Sequence, residues 1–367
     1  MQGSSDFTTS APPAHNAATP ADPRYPAPRP LGLSFTGSGS EYFRIWIVNV
    51  LLTIVTFGIY SAWAKVRTLQ YFYRNTRLDG ASFDYHGKPS AILKGRAIVV
   101  ALAFAFQVAS NLSPFLALAM LVALLAVFPL LLVRSLRFRM ANSSYRGLRF
   151  GFTGRDAEAY RVFVLWPLAA LFTLGLLGPL AHQRFKRYQH DHTRFGTAPF
   201  AFSAGAGDFY GVYLRAFGVV LAAAIAGVVL SFVLGVVVAP GASGVAAAAL
   251  LGFGIVGFYL GMLAVSPYLM ARLQNVVWSH TTLAPHAFRS QVKAGRMIFI
   301  FVTNLLAIAL TLGLYLPFAR VRAARYRLES VAMLAAGPLD SFVAGEMQQV
   351  GALGDAAVDW YDIDIAL

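Results

Sequence analysis

The sequence contains no cysteine, which excludes a disulfide framework, a thiolate metal site and a cysteine nucleophile. It is also poor in charge: 13% of its residues are Asp, Glu, Lys or Arg, where soluble domains carry about a quarter. The shortage is concentrated. Residues 45–64, 97–133, 216–271 and 297–319 hold no charge at all. About 20 apolar residues suffice for one helix across a bilayer core, so 97–133 and 216–271 each accommodate a helix pair. Buried helices of soluble proteins are shorter and keep a polar face. These runs exclude a soluble enzyme and predict an integral membrane protein.

Acids are scarce in the interior of the chain. None lies between Asp208 and Glu329, and seven follow from Glu329 onward. The net charge of +14 is therefore carried by the body of the protein. In a soluble chain such a balance points to nucleic acid. Here Lys and Arg flank apolar runs, the pattern expected at a cytoplasmic face rich in anionic lipid. Anionic membrane lipids are thus the expected partners, nucleic acid is not, and oligomeric state stays open. The opening segment is rich in Pro, Ala, Ser and Thr with no apolar signal region, and reads as a disordered tail over 1–31.

What is present is self-similar. Thr56-Phe-Gly58-Ile, Thr173-Leu-Gly175-Leu and Thr311-Leu-Gly313-Leu are each followed, at fixed spacing, by Ala, Arg and Tyr: Arg67 and Tyr71, Arg184 and Tyr188, Arg322 and Tyr326. Asn49 and Asn304 share that register. Many coincidences in one register indicate internal pseudo-repeats. A second motif, Gly80-x-x-Phe83-x-Tyr85-x-Gly87, recurs as Gly147-x-x-Phe150-x-Phe152-x-Gly154, with a weaker echo at Phe200 and Phe202. Aromatics at alternate positions between glycines suit a short strand; aromatic loops at headgroup level are the alternative.

The run from Asn49 through Thr56, Gly58, Trp63, Arg67 and Tyr71 to Gly80 resembles the bacterial YjgN family. The resemblance covers roughly 33–335 and fades in the later copies, where Tyr60-Ser-Ala-Trp63 becomes Leu177-Gly-Pro-Leu180 and then Tyr315-Leu-Pro-Phe318. It implies a multi-pass protein of the bacterial inner membrane and supplies no activity.

Chemical motifs are sparse. His190-Asp191-His192 places two imidazoles two residues apart, compatible with one side of a strand, but no second acid or cysteine joins them, so no metal or other cofactor is expected. There is no P-loop, GxSxG or HExxH. No Asp, Glu or His falls within the apolar runs, which disfavours proton-coupled transport and an intramembrane hydrolase. An enzyme is not expected. Gly257-x-x-x-Gly261 reads as close helix packing.

These readings give an all-α polytopic membrane protein with pseudo-repeats, and with short cytoplasmic strands or aromatic loops between membrane segments. The membrane domain is 32–335, with apolar segments at about 44–64, 97–133, 162–181, 216–271 and 297–319, and an acidic tail over 336–367. The candidate site is the set of intramembrane polar and motif residues: Asn49, Thr56, Gly58, Trp63, Arg67, Tyr71, Thr173, Gly175, Arg184, Asn304, Thr311, Gly313 and Arg322. Convergence of the polar ones on a cavity would indicate a path or binding site for a small solute or lipid; separate packing would indicate a structural or interaction protein with a lipid-binding basic face. The basic stretches 65–96, 134–161, 182–215 and 272–296 all belong inside by charge. That predicts dips at 44–64, 162–181 and 297–319, broken at Gly58, at Gly175–Pro179 and at Gly313–Pro317; seven plain crossings, with inverted repeats, are the alternative. The mixed acidic and aromatic segment 358–365 is expected to fold back on the basic face.

Overall fold

A computed structural model describes residues 28–238, 243–283 and 285–350. The tail up to residue 27, the turn at 240–242 and the segment 358–365 lie outside the described residues. One pattern, strand–helix–helix–strand, runs through the chain five times. The first unit is β1 (Arg29–Phe35), α1 (Gly39–Val55), α2 (Ser61–Arg74) and β2 (Thr76–Leu78). The second is β3 (Ala81–Tyr85), α3 (Pro89–Leu112), α4 (Pro114–Ala141) and β4 (Ser143–Tyr145). The third opens with β5 (Leu148–Phe152). Its first helix is α5 (Asp156–Tyr160), a π-helical stretch (Arg161–Leu165) and α6 (Trp166–Phe172), followed by α7 (Gly178–Asp191) and β6 (Thr193–Phe195). The fourth is β7 (Ala198–Phe202), α8 (Ala206–Val238), α9 (Ser243–Ser279) and β8 (Thr281–Leu283). The fifth is β9 (His286–Ser290), α10 (Ala294–Leu310), α11 (Leu316–Glu329) and β10 (Val331–Ala335).

The ten strands pair antiparallel in chain order and β10 pairs with β1, closing a barrel. The fold is therefore not all-α. The alternating aromatics mark β3, β5 and β7 as short strands, as expected, but at three to seven residues no strand shows its partners locally, and each finds them only when all five units meet. Closure leaves no open edge. Large apolar residues of neighbouring strands meet inside as cross-strand pairs: Leu33 with Leu78, Phe83 with Tyr145, Phe150 with Phe195, Phe200 with Leu283 and Phe288 with Met333. Together they form the core of the barrel.

Connections alternate between the two ends. At one end each unit sends out its helical hairpin. At the other, tight turns join successive units, with Asp79-Gly80 (φ 47° and 75°) and Arg146-Gly147 (φ 49° and 83°). Positive φ at both central residues is the turn that follows the twist of paired strands. Two residues beyond the inward aromatics, Tyr85, Phe152 and Phe202 are buried at the helical end of the barrel. Phe152 packs with Val133 and Tyr188, and Phe202 with Phe209, fixing the barrel to the helix bases.

Beyond β10 the chain turns back as a helix through 339–350. Leu339, Phe342 and Val343 press into the barrel core, so this part of the expected acidic tail is a cap on the mouth formed by the tight turns.

Candidate functional site

The five helical hairpins are of two kinds. The described residues include four helical segments long and apolar enough to cross a membrane: Pro89–Leu112, Pro114–Ala141, Ala206–Leu230 and Gly254–Ser279. They form the second and fourth hairpins. Gly257 and Gly261 let α9 approach the α8 backbone at Ala223 and Val220, where an added Cβ would collide.

The first, third and fifth hairpins are short and turn at the residues singled out in the sequence. Phe57-Gly58, Leu174-Gly175 and Leu312-Gly313 all have positive φ, 48° and 90°, 51° and 88°, and 50° and 94°. The glycine amides donate back five residues, to the carbonyls of Thr53, Ala170 and Ile308, at 2.7, 2.7 and 2.8 Å. This is the Schellman closure of a helix that ends on glycine. The preceding threonines complete it. Thr56 Oγ1 donates to Leu52 O and accepts from Tyr60 N at 2.9 Å; Thr173 does the same with Ala169 and Leu177, and Thr311 with Ala307 and Tyr315. A turn satisfied in this way can sit away from water. Its apex is an apolar side chain without cover: Phe57, Leu174 and Leu312 are 98%, 95% and 95% exposed.

The bases of these hairpins are polar and tied. Tyr71, Tyr188 and Tyr326 donate to the carbonyls of Ser38, Arg155 and Lys293, the residues just before each hairpin's first helix. Midway, the three arginines rest on aromatic faces: Arg67 over Tyr60, Arg184 over Trp166 and Arg322 over Phe299. Trp63 stacks on Tyr60. Arg322 also donates to Thr303 Oγ1 and Asn304 Oδ1 at 2.8 and 3.0 Å, while Asn304 Nδ2 donates to Ala319 O. Asn49 is buried on α1 with neither side-chain polar atom partnered. Asn49 and Thr56 thus lie in the first hairpin, Thr173 in the third, and Asn304 and Thr311 in the fifth; the threonines bond within their own turns, and of these five only Asn304 bonds another candidate residue, Arg322.

Inside the barrel, aromatic and aliphatic side chains leave an apolar cavity of about 110 Å³, closed on the cap side by Leu339 and Phe342. Glu346 Oε2 anchors the cap: it accepts from Thr197 N, Thr197 Oγ1 and Ala198 N at 2.7, 2.7 and 2.9 Å. Arg146 pairs with Asp79 and with Asp340 of the cap. His286 lies edge-on to Phe342, accepts from Ala336 N and has no partner at Nε2; burial holds its imidazole below the ordinary value. The flagged histidines do not meet at one centre. His190 stacks on Phe202 and His192 faces Glu158 at 3.2 Å. No group of three metal-ligating side chains occurs among the described residues.

The cap and Glu346 were not singled out in the sequence, although Leu339, Phe342, Val343 and Glu346 fall at helical spacing. Over residues 30–360 the chain matches the profile of a family described as "Bacterial protein of unknown function (DUF898)". The chain belongs to this family. It is 31% identical over 150 residues to "Inner membrane protein YjgN" of Salmonella typhimurium, a stretch covering 40% of this chain and 37% of that protein. It is 34% identical over 147 residues to the protein of the same name from Escherichia coli K12, covering 38% and 36%. The matched stretches thus span little more than a third of either relative. No solved structure matches. The resemblance carried by Asn49 to Gly80 holds: these are the YjgN proteins, named as inner-membrane proteins with no activity attached.

Proposed function

We propose that this is a non-enzymatic protein of the bacterial inner membrane that holds its barrel at the cytoplasmic face and binds the anionic lipid of that leaflet. The observation that carries the reading is the trio of bare apolar apices, Phe57, Leu174 and Leu312, on turns whose backbone is internally bonded. Such apices suit hydrocarbon and not water.

The depth of the hairpins fits one leaflet. The first basic or imidazole group after each apex comes eight residues on, at Lys65, His182 and Arg320, a helical rise of about 12 Å. Half of a bilayer core is about 15 Å. Both legs of every hairpin lead into the same barrel, so the short hairpins enter and return on one side, while the second and fourth supply the crossings. Basic residues then collect at the barrel side of the membrane, where anionic lipid attracts them. The matching threonine, glycine and tyrosine positions favour reading the units as pseudo-repeats. A path for a small solute finds less support, since Thr56, Thr173 and Thr311 bond within their own turns and the space left inside the barrel is apolar and only about 110 Å³.

Single cysteines in this cysteine-free chain test the topology. Asn111→Cys, at the far end of a long hairpin, is expected to react with an impermeant thiol reagent added outside intact cells. Ser82→Cys and Ser203→Cys, on the barrel, are expected to react only after permeabilisation. Periplasmic labelling of the barrel positions refutes the reading.

A further inference from the structure

The first and fifth units meet where the barrel closes, and there the start of α1 together with α10 and α11 lines an open cavity of about 410 Å³. Its composition is divided. Arg296, Arg322 and Arg325 line it together with the N-terminal residues of α1, Ser38 and Gly39; Ile300, Phe318 and Val321 supply apolar wall. Glu329 is the one acid in its lining, against three guanidinium groups.

We propose that this cavity binds the phosphate of an anionic glycerolipid, with the acyl chains leaving along the apolar wall. The inference rests on the reading that the short hairpins lie in the cytoplasmic leaflet. Two of the arginines are held in place by neutral groups that leave donors to spare. Arg325 donates to Gly37 O at 2.7 Å, and Arg322 to Thr303 and Asn304 through one nitrogen. Each guanidinium carries five N–H donors in a planar fork, the geometry that matches phosphate oxygens. Arg296 lies over the Phe299 ring and makes no hydrogen bond among the described residues. The start of α1, a helix of 17 residues, adds the positive end of its dipole.

The direction of the cavity separates a lipid from a soluble phosphate. Arg296 sits in the first turn of α10, at the barrel end, and Ile300 is one turn farther toward the apex. Phe318 lies six residues from Leu312, about 9 Å of helical rise. Arg296 and Arg325 are therefore toward headgroup level, while Arg322 reaches deeper, to Thr303 and Asn304 beside Phe318, and the apolar wall of Ile300 and Phe318 continues toward acyl level, as one amphipathic molecule requires.

The test uses the full chain in nanodiscs of phosphatidylcholine and phosphatidylglycerol, with lipid retained through detergent transfer counted by native mass spectrometry. The double variant Arg296→Ala/Arg325→Ala is expected to hold phosphatidylglycerol at least roughly tenfold more weakly, the scale of one lost charge-assisted hydrogen bond, with phosphatidylcholine retention unchanged. Arg296→Ala alone breaks no hydrogen bond among the described residues, only the contact with the Phe299 ring, and is expected to show part of the loss with an unchanged melting midpoint, which separates lost binding from misfolding. The pair Arg77→Ala/Arg194→Ala removes equal charge from exposed strand positions and is expected to leave retention intact. Equal losses in the two pairs, or no loss in the first, overturn the proposal. Binding of inorganic phosphate in uncharged detergent with the same dependence on Arg296 also overturns it, by replacing lipid with a soluble anion. Failure of the leaflet reading itself would show separately, as periplasmic labelling at Ser203→Cys.

Discussion

Removing the Glu346 carboxylate should release the cap from the barrel without unfolding either. One oxygen, Oε2, receives two backbone amides and one hydroxyl from Thr197 and Ala198 at 2.7 to 2.9 Å, and the residue is 8% exposed. A hydrogen bond to a charged group contributes about 1.5–3 kcal/mol net. The three share one acceptor, and the amides of the opened turn recover water, so their sum overstates the loss. Glu346→Ala should cost about 2–4 kcal/mol of cap docking, equivalent to a rise of about 30- to 1000-fold in the open population. Glu346→Gln keeps an acceptor oxygen and should cost about half as much. Amide hydrogen exchange resolves this locally. Protection should fall by that factor across 339–350 and at Thr197 and Ala198, and stay unchanged in α3, α4 and the strands away from the cap. An unaltered exchange rate over 339–350 in Glu346→Ala would refute the anchoring role.

Three further outcomes are expected. Burial, with Lys186 nearby, pushes His190 down to about 4; the folded state then binds fewer protons than the unfolded chain below the ordinary value of 6.5, so stability falls with acidification. The cost from His190 is about 2 kcal/mol at ~pH 5, and thermal melts should show wild type losing more than His190→Gln between ~pH 7.5 and ~pH 5; equal losses refute it. Thr311→Val keeps the shape of the side chain but leaves Tyr315 N without its acceptor, and should lower stability in nanodiscs by about 1–3 kcal/mol, measured as a midpoint shift on heating. Phe57→Asp places a carboxylate at the depth of the apex, where insertion scales assign about 2.5–3.5 kcal/mol; quenching of a nearby fluorophore by bromine-labelled acyl chains should weaken, and undiminished quenching would remove the apex from the hydrocarbon.

The sequence alone determined which segments are apolar, where charge collects and where the chain reverses. The two longest uncharged runs, 97–133 and 216–271, mark pairs of helices apolar enough to cross a membrane whatever surrounds them, and glycine at a helix end is a local steric signal. The positions Gly58, Gly175 and Gly313 could thus be picked before any contact was known, as could the alternating Phe83 and Tyr85 or Phe150 and Phe152. Tertiary structure decided what those fragments build. Phe83 meets Tyr145 and Phe150 meets Phe195 only when strands 62 and 45 residues apart are brought into register, and β1 meets β10 across nearly the whole described chain. Pairing energy of that kind has no trace in a window of five residues, so an all-α reading follows from the helices and misses the barrel that joins them. Partnerships among polar groups are equally non-local. Asn49 and Asn304 share a register in the sequence, yet one is buried without a partner and the other binds Arg322, because side-chain geometry in the packed hairpins decides which guanidinium comes within reach.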